Sequence, residues 1–142
     1  MKPILNCILL IDDDEPTNFM SNMVLEEANC TRHIQIEESG QKALAFLCNT
    51  KDSSQQKSLV QYPELIFLDI NMPAMNGWEF LEKFMELKKD AHPETIIIML
   101  TTSINPDDKI RAEKLSVVAG FENKPLTDNM IEKLLQRHFN NQ

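Results

Sequence analysis

Four short apolar runs punctuate the chain, Ile8 to Ile11, Leu65 to Leu68, Ile96 to Leu100 and Val117 to Phe121, each of strand length. The segments between them carry apolar residues at helical spacing instead: Phe19, Met20, Met23 and Val24 in one, Trp78, Leu81, Phe84 and Met85 in another, Ile131, Leu134 and Leu135 in the last. Continuous apolar strands are what a parallel sheet covered by helices on both faces requires, because neither strand face meets water. From His33 to Glu37 the pattern changes: Ile34 and Ile36 alternate with polar neighbours, as on a half-exposed edge strand. The pattern predicts five strands, near residues 6–12, 33–37, 64–69, 95–101 and 117–122, alternating with five helices in a doubly wound α/β sandwich. Trp78 and the helically spaced methionines are expected in the core. A polar stretch from 49 to 61 exceeds the usual connection and is expected to be an exposed, mobile loop that plays no part in the chemistry.

Composition narrows the function. At 142 residues the chain holds one domain's worth of sequence, since a single core usually serves roughly 100 to 200 residues. Fourteen Lys plus Arg against twenty-two Asp plus Glu leave a net charge of −8, which repels nucleic-acid phosphates and acidic membrane surfaces. Cys7, Cys30 and Cys48 form no CxxC pair and have no metal-ligand spacing, so a reducing cytoplasm is the expected setting. No apolar stretch reaches the length of about 18 residues that a membrane span needs.

The chemistry gathers where the apolar runs end. Asp12, Asp13 and Asp14 follow the first, Asp69 the second, Thr101 the third and Lys124 the fourth. In a parallel sheet these ends share one edge, outside the carboxyl ends of the strands, where open α/β proteins bind ligands. Clustered carboxylates repel, and a divalent cation relieves them. Oxygen ligands without His or Cys point to a hard ion such as Mg²⁺. A cation beside a free carboxylate can orient a phosphoryl group for in-line attack, with Lys124 adding positive charge, Thr101 a hydrogen bond, and Asp69 becoming an aspartyl phosphate. Asp14, Glu15 and Pro16 read differently, as an acidic, Pro-containing first turn that complements a helix dipole.

At these residues the sequence resembles the receiver domain of response regulators in two-component signalling, over essentially the whole chain. The family's acid pair is matched by Asp12 and Asp13, and its phosphoacceptor motif by Asp69-Ile-Asn-Met72-Pro73-Ala-Met-Asn-Gly77. Its hydroxyl residue is matched by Thr101 and its Lys-Pro pair by Lys124-Pro125. The resemblance implies a flavodoxin-like three-layer sandwich with strand order 2-1-3-4-5, an order that comes with the family and not from the periodicity. It implies that Asp69 accepts phosphate from a histidine kinase or a histidine phosphotransfer protein. Mg²⁺ is then held by Asp13 directly, by Asp12 through water, by Asp69 and by the main-chain carbonyl of Asn71. Phe121 occupies the family's switch position, moving inward when Thr101 turns toward the phosphoryl group. The Lys124-Pro125 bond is expected to be cis. Thr102 stands where many relatives carry a smaller residue, which bears on access to the phosphoryl group.

Three rivals compete with this reading. A haloacid-dehalogenase-like phosphatase needs a second Asp two residues after its nucleophile, and Asn71 stands there, unable to exchange a proton near neutral pH. An FMN carrier of the same fold must cradle a phosphate in a first loop that here holds three aspartates. A receiver-like module that binds partners without phosphorylation leaves its filled motif positions unexplained. The expectation is a cytoplasmic single-domain regulator over 1–142 that is not an enzyme. A downstream protein would dock on the surface of the fourth helix, fifth strand and fifth helix. The chain is expected to be a monomer or weak homodimer with no nucleic-acid or membrane partner.

Overall fold

The computed structural model describes residues 4–51, 61–88 and 95–139. Strands and helices alternate as β1 Ile8–Ile11, α1 Glu15–Ala28, β2 Ile34–Glu37, α2 Gly40–Lys51, β3 Leu65–Leu68, α3 Gly77–Lys88, β4 Ile96–Thr101, α4 Pro106–Glu113, β5 Val118–Asn123 and α5 Asp128–Phe139. The five strands form one parallel sheet in the order β2-β1-β3-β4-β5. Ile8 pairs with both Ile34 and Leu65, and Leu65 in turn with Ile96, so the strands run nearly level.

Side chains alternate across a strand, and the two faces of the sheet carry separate cores. Ile8, Leu10, Leu65, Phe67, Ile98 and Leu100 face α1 and α5 through Leu25, Ile131, Leu134 and Leu135. Leu9, Ile11, Ile66, Leu68, Ile97 and Met99 face α2, α3 and α4 through Leu47, Phe80, Phe84 and Ala112. The three inner strands are buried along almost their whole length, which explains their unbroken apolar runs. Both outer strands are only partly buried; in β5 a register shift opposite Ile97 and Ile98 adds to the irregularity of an edge.

Two expectations need correction. Of the four apolar residues of α1 at helical spacing, Val24 packs against the core while Phe19, Met20 and Met23 are 63%, 57% and 42% exposed. The buried residues are Asn18, Ser21, Leu25 and Ala28. Asp14 caps this helix, accepting from the Thr17 amide at 3.0 Å, and the phase set there turns Asn18 and Ser21 toward the polar strand ends. Those positions can be polar because they face a polar crevice, so the hydrophobic pattern misleads. Met85 is likewise exposed, whereas Trp78, Met72 and Met99 are buried. The second correction concerns 49–61: residues 49–51 continue α2, where the Thr50 hydroxyl donates to the Phe46 carbonyl at 3.0 Å. The rest of that stretch, from 52 to 60, lies outside the described residues.

The phase of α1 has a measurable consequence. Leu25→Ala empties a fully buried site and should cost about 2 to 5 kcal/mol. Phe19→Ala should stay within about 0.5 kcal/mol of the parent. Urea unfolding of both variants checks the assignment, and a larger loss for Phe19→Ala would show that the phase is wrong.

Candidate functional site

The sheet's hydrogen bonding runs past the ends of its strands. The Asp12 amide donates to the Glu37 carbonyl at 3.2 Å and the Asp69 amide to the Ile11 carbonyl at 3.0 Å, which sets the two aspartates side by side at the carboxyl edge. The Lys124 amide donates to the Thr101 carbonyl at 2.9 Å, bringing the end of β5 to the same edge. Lys124 Nζ then lies 2.5 Å from Asp12 Oδ2 and 3.5 Å from Asp69 Oδ1. Carboxylate oxygens of Asp12, Asp13 and Asp69 lie within 4.8 Å of one another. Asp12 and Asp69 are buried and Asp13 is exposed, so the crevice has an inner wall and an open mouth. The Lys124-Pro125 bond is cis, as expected.

Beyond Asp69 the chain must turn sharply to begin α3. The Gly77 amide donates to the Ile70 carbonyl at 2.8 Å, and a Cβ at Gly77 would lie 2.5 Å from the Asp69 carbonyl oxygen. Only glycine permits that approach without moving the backbone of Asp69. Asn76 and Glu79 then cap α3 reciprocally, each side chain accepting from the other's amide at 2.9 Å. Asn71 is exposed on this loop, two residues past Asp69.

Thr101 is fully buried, and its hydroxyl oxygen accepts from the Ser103 amide at 3.2 Å. The Asn123 side-chain amide donates to the carbonyls of Thr101 and Ser103, at 3.4 Å and 3.0 Å. Phe121, opposite Met99 in the sheet, is half-buried against the core on the α2 to α4 side. It borders a surface recess of about 270 Å³ between α4 and β5. Asp12, Asp13, Asp69 and Lys124 thus converge, with Thr101 joined to them through the Lys124 backbone. Phe121 belongs to the neighbouring surface, and Thr102 is exposed. Sequence reasoning missed Asn18, whose amide donates to the Asp12 carbonyl at 2.8 Å, and the Ser103 and Asn123 contacts. A polar residue in phase with Leu25 and Ala28 was the available sign of the first.

Burial raises the Asp69 carboxyl above its ordinary range, and the neighbouring Asp12 charge adds to the effect against the opposing pull of Lys124. Burial alone would lower the Lys124 ammonium, but its bonds to Asp12 and the charge of Asp69 hold it above its usual value. A carboxyl raised on folding contributes stability below its unfolded pKa of about 3.9 and loses that contribution as pH rises through the folded value. At pH 7 ionised Asp69 therefore costs stability. Asp69→Asn should raise the melting temperature at pH 7 in metal-free buffer, by roughly 3 °C for each kcal/mol relieved. The gain should vanish near pH 3; a variant less stable than the parent at pH 7 would contradict this.

A family model for the response regulator receiver domain matches residues 8–136. Among curated proteins the chain is 31% identical, over 99% of its length, to a probable cyclic di-GMP phosphodiesterase of Vibrio cholerae, of which it spans 28%. It is 32% identical to the response regulator Rcp1 of Synechocystis, over 78% of this chain and 71% of that one. A solved Mn²⁺-bound form of response regulator Rcp1 is 27% identical, with a TM-score of 0.65 over 93% of this chain and 90% of that one. The crystal structure of a two-component response regulator from Cytophaga hutchinsonii superposes with a TM-score of 0.86 at 30% identity, covering 97% of this chain and 99% of that one. The sheet order, the acidic crevice and these matches agree: the chain belongs to the response regulator receiver domain family, the phosphoacceptor modules of two-component signalling.

Proposed function

We propose that this receiver domain is a phosphoacceptor and that Asp69 takes a phosphoryl group from the phosphohistidine of a histidine kinase or histidine phosphotransfer protein. The observation that carries this reading is a buried carboxylate held 3.5 Å from the ammonium of Lys124 and beside a second buried acid. An oxygen of Asp69 attacks phosphorus, the bond from phosphorus to the imidazole nitrogen breaks, and the imidazole leaves with the electron pair. Asp13, Asp12, Asp69 and the Asn71 carbonyl are the groups that would hold Mg²⁺, and their all-oxygen donor set suits a hard cation. When bound, the ion neutralises charge on the transferring phosphoryl oxygens. Lys124 does the same from the inner side, already placed between the two acids it serves.

Phosphorylation adds roughly −1.5 to −2 charges to the crevice. The Thr101 hydroxyl turns to donate to a phosphoryl oxygen, its contact with the Ser103 amide loosens, and Phe121 moves toward the space released. The surface of α4, β5 and α5 then presents a second arrangement to a downstream protein or a weakly associating second copy. Asn71 offers no acid or base where a hydrolase of the aspartyl-phosphate type needs one, so turnover is limited to self-phosphorylation from a donor and autodephosphorylation. Among the described residues no helix is long and apolar enough to cross a membrane. The proposed setting is the cytoplasm, because Cys7, Cys30 and Cys48 lack the spacing of a disulfide framework, and a net charge of −8 favours protein partners over nucleic acid or membrane.

The test is direct. Incubation with acetyl phosphate and Mg²⁺ should add the mass of one phosphoryl group to the intact protein, and neither Asp69→Asn nor omission of divalent cation should allow it. Undiminished labelling of Asp69→Asn would assign the acceptor elsewhere.

A further inference from the structure

The inner face of α1 is polar in its first half and apolar in its second, through Asn18, Ser21, Leu25 and Ala28. Asn is a poor residue for a helix interior, and a buried amide without a partner costs free energy, so a buried Asn at this point calls for a specific contact. Asn18 is 3% exposed, and its side-chain amide donates to the carbonyl of Asp12 at 2.8 Å. That carbonyl belongs to the peptide joining Asp12 to Asp13. Together with Ser21, Asn18 also lines a small cavity of about 10 Å³ beneath Asp12 and Asp69.

The residues on either side of that peptide are fixed as well. The Asp12 amide donates to the Glu37 carbonyl, Asp12 Oδ1 accepts from the Asp14 amide at 2.9 Å, and Asp12 Oδ2 meets Lys124. Asp14 is pinned as the cap of α1. Asp13 lies between these two anchored residues with its carboxylate exposed at the mouth, so the backbone on either side sets the direction in which its side chain leaves the chain. The orientation of the peptide plane before it limits the positions its carboxylate can reach, and Asn18 holds that plane through the Asp12 carbonyl.

We propose that Asn18 is a positioning residue for the cation site: its buried amide fixes the Asp12-Asp13 peptide and so aims the Asp13 carboxylate. This deepens the reading of Asp12 and Asp13 as the acids that hold Mg²⁺ and rests on it. Groups that orient metal ligands without touching the ion change affinity by about 10- to 100-fold when removed. The lower end applies here, because one of several anchors on the loop is lost.

The experiment is a calorimetric Mg²⁺ titration of the unphosphorylated full chain in four forms: wild type, Asn18→Leu, which keeps the branched shape but removes the donor, Asn18→Ala, and Ser21→Ala. Ser21 lines the same cavity and serves as the control for a general loss of packing. Both Asn18 variants should bind Mg²⁺ about 10-fold more weakly. Ser21→Ala should stay within about twofold of wild type. Acetyl phosphate labelling should divide the same way, with the Mg²⁺ concentration for half-maximal rate raised in the Asn18 variants and the rate at saturating Mg²⁺ close to wild type. If Asn18→Leu is too unstable to purify, Asn18→Ala alone decides. Wild-type affinity in the Asn18 variants, or an equal loss in Ser21→Ala, overturns the assignment of Asn18 while leaving the cation site standing. Failure of the wild type itself to bind Mg²⁺ overturns both.

Discussion

The arrangement around Lys124 is the constraint on which the rest of the molecule depends. Two carboxylates, Asp12 and Asp69, are buried at the ends of adjacent strands, and their mutual repulsion would expel or protonate one of them without a cation between. Lys124 supplies that cation from the end of β5, two places from β3, reaching Asp12 at 2.5 Å and Asp69 at 3.5 Å. The balance is incomplete: burial first and the Asp12 charge second keep Asp69 raised despite Lys124, and the three acids of the crevice outnumber its one ammonium. A site in that condition has free energy to release when a further cation binds at the mouth.

The fold imposes this charge density because its packing keeps the groups from moving apart. Parallel pairing brings the ends of β1, β3, β4 and β5 to one edge, and two independent cores hold the sheet from both faces. Two close contacts lock the loops that leave it: the Gly77 backbone against the Asp69 carbonyl on one side, and the Asn18 side-chain amide against the Asp12 carbonyl on the other. A softer connection runs through Thr101 and Ser103, where a 3.2 Å hydrogen bond ties the buried hydroxyl to the segment leading into α4. Rigid acids next to an adjustable hydroxyl are what a switch that converts added charge into a surface change requires.

Much of this is legible in the chain. The apolar runs mark all three inner strands and the outer β5, and at or just past their ends stand Asp12, Asp69, Thr101 and Lys124, the groups that meet at the carboxyl edge. Strand order is not legible from periodicity, since a run of apolar residues says that a strand is buried but not which strands flank it; the family resemblance supplies it. The phase of α1 is hidden because hydrophobicity is a guide to burial only where the neighbouring surface is apolar. Next to a polar crevice the rule inverts, so Asn18 and Ser21 turn inward while Phe19 and Met20 face solvent. The role of Asn18 depends on a backbone carbonyl six residues away, and a carbonyl leaves no mark in a sequence.

The balance of charges on Asp69 can be observed one carboxyl at a time. Carboxyl-carbon NMR of the protein with ¹³C-labelled aspartate, titrated over pH without divalent cation, should show Asp69 ionising above the ordinary aspartate range. In Asp12→Asn its titration should move down, because a repelling charge is gone, and in Lys124→Ala it should move up, because the attracting one is gone. An Asp69 titration that stays at the same pH in all three proteins would contradict the account, since the crevice would then not be governed by the Lys124 balance.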